Sequence, residues 1–147
     1  MTASPPSAAP LRLMVATPLY GGAEGDYLRS VVGLAGAAER AGAACAFAWL
    51  SNNPVIDRAR NVLAAAFLQS DATHLVFIDG DIGFVPEELV ALVQRMAQDD
   101  RLAVVGAPYP KRKVNWNLVA SAAAKGLAEG NPAALEKFSG LFPMEPL

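Results

Sequence analysis

Asp79 and Asp81 stand one residue apart after the apolar run His74-Leu75-Val76-Phe77-Ile78. On a strand, residues i and i+2 point the same way, so these carboxylates are expected to share one side of a strand terminus. Two like charges there repel and cost desolvation unless something positive sits between them. A hard divalent cation carrying a diphosphate meets that need. Mg²⁺ and Mn²⁺ prefer oxygen ligands and are often held by one or two carboxylates plus phosphates. The plain alternative is a solvated strand-end turn, where Asp and Gly are common.

A second polar cluster lies upstream. Asp57, Arg58, Arg60 and Asn61 occupy the first turns of a segment otherwise made of Ala, Val, Leu and Phe. On a helix, Asp57 and Asn61 are i, i+4 neighbours, and Arg58 and Asn61 are i, i+3 neighbours. A guanidinium at Arg58 could pair with Asp57 or Asp79, or grip a phosphate. Arg60 reads equally well as a solvated helix arginine. Lys111-Arg112-Lys113 offers further cations, for which a solvated charge run is at least as good a reading.

These groups need elements to hold them, and the middle of the chain alternates cleanly. Leu11–Ala16 reads as a first strand closed by Thr17-Pro18. Asp26 is expected to cap a helix running to about Arg40, ended by Ala41-Gly42. Residues 44–50 read as a second strand. Asn53-Pro54 predicts an N-cap followed by Pro at the first helical position, opening a helix to about Gln69. Its expected buried positions are Val55, Ile56, Ala59, Val62, Leu63, Ala66 and Phe67. Residues from about 73 to 79 read as the third strand. Pro86-Glu87-Glu88 opens a third helix, and Leu102–Gly106 reads as a fourth strand. The order predicts an α/β fold with a mostly parallel sheet and helices on both faces. In such sheets ligands sit beyond the carboxyl ends of the strands, where both polar clusters fall.

Composition narrows the class. The chain has 147 residues, enough for one domain with a sizeable core. It is 53% hydrophobic, but charge or Gly interrupts every apolar stretch well short of a membrane span. A net charge of −2 argues against a general nucleic-acid binder. One cysteine, Cys45, excludes a disulfide within the chain, and one histidine, His74, excludes a His-rich metal site. Residues 1–10 read as a disordered leader rather than a signal peptide, and a cytoplasmic location is the expectation. Gly21-Gly22-Ala23-Glu24-Gly25 lacks the spacing of a dinucleotide fingerprint or P-loop.

Three blocks in order resemble the nucleotide-binding half of a GT-A glycosyltransferase. Asp57-Arg58-Ala59-Arg60-Asn61 looks like the Arg-Ala-Arg-Asn helix of mannan-polymerase-type and family 2-like transferases. Asp79-Gly80-Asp81 looks like their Asp-x-Asp motif, and Val105–Lys111 like the strand and loop that follow it. The resemblance spans about residues 11–116, with a short helix and tail over 117–147, all expected in one domain. It implies a Rossmann-like nucleotide-sugar-binding core and transfer of a sugar from a nucleoside-diphosphate donor to a hydroxyl acceptor. It also implies Mn²⁺ or Mg²⁺, with Asp81 as metal ligand and Asp79 on ribose or on metal-bound water. Thr17, Pro18 and Asp57 would hold base and ribose. Arg58 and Asn61 complete the expected donor site.

The chain departs from that family after Trp116, where about a hundred further residues usually supply an acceptor half and a general base. Glu129, Glu136 and Glu145 are available, but nothing in the sequence places one beside an acceptor hydroxyl. A truncated, non-catalytic nucleotide-sugar-binding module is therefore an alternative. Another is a Mg²⁺-dependent phosphohydrolase of the haloacid dehalogenase type, whose strand also ends in Asp-x-Asp. The apolar tail Leu141, Phe142, Pro143, Met144 and Leu147 suggests self-association as a homodimer.

Overall fold

A computed structural model describes residues 10–109, 113–128 and 130–140. Most of the leader, Lys111 and Arg112, Glu129 and the tail with Glu145 lie outside them. The chain divides into two compact units, with the break between Val105 and Gly106.

The first unit is an α/β layer structure: β1 (Arg12–Leu19), α1 (Gly25–Arg40), β2 (Ala44–Ser51), α2 (Ile56–Leu68), β3 (His74–Phe77) and α3 (Pro86–Ala97). The three strands form an all-parallel open sheet in the order β2-β1-β3. Strand alternation sorts the β1 side chains between two layers. Leu13 and Val15 join Leu34, Ala37 and Ala38 of α1 and Val90 and Val93 of α3 in one buried cluster, with Phe47, Val76 and Ile78 against it. α1 and α3 therefore share one face. The alternate residues of β1 face α2, which buries Ala59 and Leu63.

Several expected boundaries move. β1 continues through Thr17-Pro18 to Leu19 instead of closing at Ala16. Proline is tolerated in this central strand because of where its missing donor falls. Alternate residues of β1 bond to the β3 side, with Arg12 O accepting from Thr73 N at 2.8 Å and Ala16 O from Ile78 N at 3.2 Å. β3 pairs no further than Ala16, so the N–H that Pro18 lacks would have had no strand partner. The helix caps also differ. Glu24 rather than Asp26 precedes α1, and Val55 rather than Asn53 precedes α2. Asn53 Oδ1 instead accepts from Val55 N at 3.2 Å, forming a local turn. α2 is less buried than its apolar sequence predicts: Val55, Ile56, Val62 and Ala66 are exposed.

The expected fourth strand is not formed: residues 102–106 carry no strand pairing, and Val104 is 87% exposed. The topology supplies a reason. A right-handed crossover from β3 to the free edge beside it needs its helix on the α2 face. α3 lies on the α1 face, so the chain leaving it is not delivered to that edge. It turns at once, with Leu102 N donating to Asp99 O at 2.9 Å. Hydrogen bonds from Arg101 clasp the Asp99 carboxylate and hold it below its ordinary range.

In the second unit, α4 (Trp116–Ala124) is capped by Asn115, whose Oδ1 accepts from Leu118 N at 3.1 Å. A 3₁₀ helix spans Pro132–Phe138, capped in the same way by Asn131. Asn115 N donates to Ser139 O at 2.8 Å, closing the unit. Trp116 is exposed at the first position of α4.

Candidate functional site

The carboxyl edge of the sheet carries the chemistry-bearing residues of the first unit. β3 ends at Phe77, so Asp79 and Asp81 do not stand on a strand. They are the first and third residues of a turn closed by Ile82 N donating to Asp79 O at 3.1 Å. The same-side argument for the pair therefore does not hold, since turn residues lack the two-residue alternation of a strand. A glycine sits tightly in this turn. Gly80 is buried, and a Cβ there would run into Leu19 Cδ2. Its carbonyl accepts from Glu24 N at 2.8 Å. Farther along, Ser30 Oγ donates to Phe84 O at 2.7 Å and accepts from Phe84 N at 2.9 Å. The segment 79–84 is thus fastened to the loop after β1 and to the start of α1.

Among the described residues, Arg60 is a positive partner of the turn. Its Nη2 lies 3.0 Å from Asp79 Oδ1, with the two side chains 42% and 32% exposed. The sequence favoured Arg58 for this role. At 100° per residue, the buried Ala59 and Leu63 define the inward side of α2. Arg60 flanks that side, whereas Arg58 and Asn61 fall opposite it. Asp57, Arg58 and Asn61 are all exposed. The helical spacing of Ala59 and Leu63 was the signal that could have singled out Arg60.

Thr17 and Pro18 are buried in β1 rather than open in a loop. Thr17 Oγ1 shares a 2.7 Å hydrogen bond with the hydroxyl of Tyr27, and Trp49 Nε1 donates to the same phenolic oxygen at 2.9 Å. Tyr27 and Thr17 are fully buried. Three elements, β1, β2 and α1, are therefore pinned at this edge through one hydroxyl, which sequence reading did not anticipate. Cys45, farther back on β2, is a free thiol, and burial pushes its pKa up to about 11.

Among the described residues, no group of three or more His, Cys, Asp or Glu side chains could hold a metal ion. Asp79 and Asp81 do not by themselves make a complete metal site. Among these residues no helix is long and apolar enough to cross a membrane. Lys113, Tyr109 and Glu136 belong to the second unit. Compared with family models, with curated proteins and with solved structures, the chain shows no significant match.

Proposed function

We propose that the carboxyl edge of this sheet binds a nucleoside-diphosphate sugar with Mn²⁺ or Mg²⁺, and that the chain transfers the sugar to a hydroxyl acceptor. The observation that carries the reading is the Arg60–Asp79 ion pair beside Asp81, in a turn just past a parallel strand. In this reading Asp81 is the principal protein ligand of the cation. Arg60 orients Asp79 and adds positive charge near the diphosphate. The cation supplies charge neutralisation for the departing diphosphate.

Calorimetry with uridine, guanosine and thymidine diphosphates, with and without Mn²⁺, tests the binding step. Affinity for at least one of them should depend on the metal and be lost in Asp81→Asn with the fold intact. Equal affinity in both proteins would remove Asp81 from the site. A second reading, a binding module without turnover, is favoured by the missing fourth strand among the described residues. Release of the nucleoside diphosphate from its sugar conjugate on adding acceptor separates transferase from binder. Hydrolysis of a simple phosphate ester would favour a phosphohydrolase.

A further inference from the structure

The two faces of the sheet locate a crevice. The loop after β1 leads to α1 on one face, and the loop after the adjacent β2 leads to α2 on the other. Adjacent strands whose outgoing loops part to opposite faces leave an opening beyond their carboxyl ends, the usual ligand position in open α/β sheets. Here that opening lies between Thr17–Leu19 and Trp49–Ser51, which are paired in register.

Trp49 stands at this opening. It is 51% exposed, although its strand is bonded along its whole length to β1. Its indole is held in one orientation from two sides. Nε1 donates to the buried Tyr27 hydroxyl at 2.9 Å, and the ring stacks on Phe47 with centroids 5.8 Å apart and planes 9° from parallel. Phe47 lies two residues back along β2, so it covers the side of the indole away from the carboxyl edge. Next along the chain, Asn52 adopts a left-handed backbone with φ of 60°, a conformation uncommon outside glycine. A half-exposed aromatic ring fixed by a buried hydrogen bond loses little freedom when a second ring lands on it, which favours affinity.

We propose that Trp49 is the platform on which the planar base of the bound nucleotide stacks. The inference rests on the nucleotide reading given above and adds the place of its base. Two strand spacings separate β2 from β3, about 10 Å. A base over Trp49 therefore leaves the ribose to cross the end of β1 and the diphosphate to reach the Asp79–Asp81 turn. Binding then depends on the base as well as on the diphosphate, and Trp49 makes the protein distinguish a nucleotide from bare pyrophosphate.

The test uses the full chain with Trp116→Phe, which leaves Trp49 as its one indole. In Mn²⁺, the preferred nucleoside diphosphate should quench the emission saturably. Inorganic pyrophosphate should compete for binding without quenching. Trp49→Ala should weaken the nucleoside diphosphate by about tenfold or more, as expected for loss of base–aromatic stacking, and leave pyrophosphate affinity unchanged. Trp49→Phe keeps a ring without the N–H and should retain most of the preference. The fluorescence arm decides the matter even if Trp49→Ala fails to fold. Unchanged Trp49 emission at calorimetric saturation, or wild-type nucleotide affinity in folded Trp49→Ala, overturns the stacking proposal and leaves the donor reading standing. If the unsubstituted protein binds no nucleoside diphosphate, the donor reading itself fails and the platform falls with it.

Discussion

Arg58 and Arg60 are two residues apart and lie on opposite sides of α2, so paired substitutions separate a site from a surface. Arg60→Ala should weaken nucleotide binding by about 1.5–3 kcal/mol, the range for hydrogen bonds to charged groups. The ion pair is partly exposed, so the same change should lower folding stability by no more than about 1 kcal/mol. Arg58→Ala should leave both nearly unchanged. Calorimetry and urea unfolding measure the two quantities, and equal losses of affinity in both variants would contradict the assignment. Gly80 offers a second residue-scale test. An added methyl meets the end of the Leu19 side chain, and Leu19 must give way. The clash is with the far end of a flexible, half-buried side chain, so Gly80→Ala should destabilise by only about 1 kcal/mol, the order of an off-rotamer side chain. Leu19→Ala in the same chain should recover part of that loss, a coupling that a double-mutant cycle reads directly.

Between elements, one coupling at the carboxyl edge runs through the buried Tyr27. Its hydroxyl joins α1 to β1 through Thr17 and to β2 through Trp49. Tyr27→Phe leaves the Thr17 hydroxyl buried without that partner, so unfolding should become easier by about 1–3 kcal/mol. Thr17→Val on that background should cost less than it does alone, because the group it removes has already lost its bond. Urea midpoints of the two single variants and the double variant check this. β2 also carries a pH signature. The folded Cys45 thiol keeps its proton up to about 11, against 9.0 for the ordinary group. Below pH 9 both folded and unfolded chains hold that proton, and the thiol adds no pH dependence. Between pH 9 and 11 the unfolded chain releases it first, so the unfolded state binds fewer protons and stability falls as pH rises. Cys45→Ala should flatten that part of the stability profile. A slope in this window identical to wild type would show that the thiol is not responsible.

At the scale of the whole chain, many large apolar side chains face solvent. Leu68, Val104 and Trp116 are each mostly exposed. Exposed apolar side chains mark contact with another chain where they cluster, and a two-fold dimer is the simplest closed assembly. Light scattering at high micromolar concentration should give twice the monomer mass. Trp116→Ser should shift the equilibrium toward monomer if the region after it contributes to the contact. A monodisperse monomer across the concentration range would exclude self-association.

Local signals carried much of the fold. The alternating apolar runs and Pro86 specify three strands and three helices in the first unit, because side-chain periodicity and proline geometry act within a few residues. The position of Asp79-Gly80-Asp81 at the end of an apolar run also placed both aspartates at the carboxyl edge. Tertiary packing decided the rest. Whether Arg58 or Arg60 meets Asp79 depends on how α2 is rolled against the sheet. Thr17 became a buried hydrogen-bonding partner because Tyr27 and Trp49, ten and thirty-two positions farther along, close over it. Leu102–Gly106 has the composition of a strand but is not delivered to the free edge of β3, since α3 lies on the α1 face. A sequence run states what a segment can become. The partner that a backbone or charged group meets is set by contacts far apart in the chain, which local pattern does not encode.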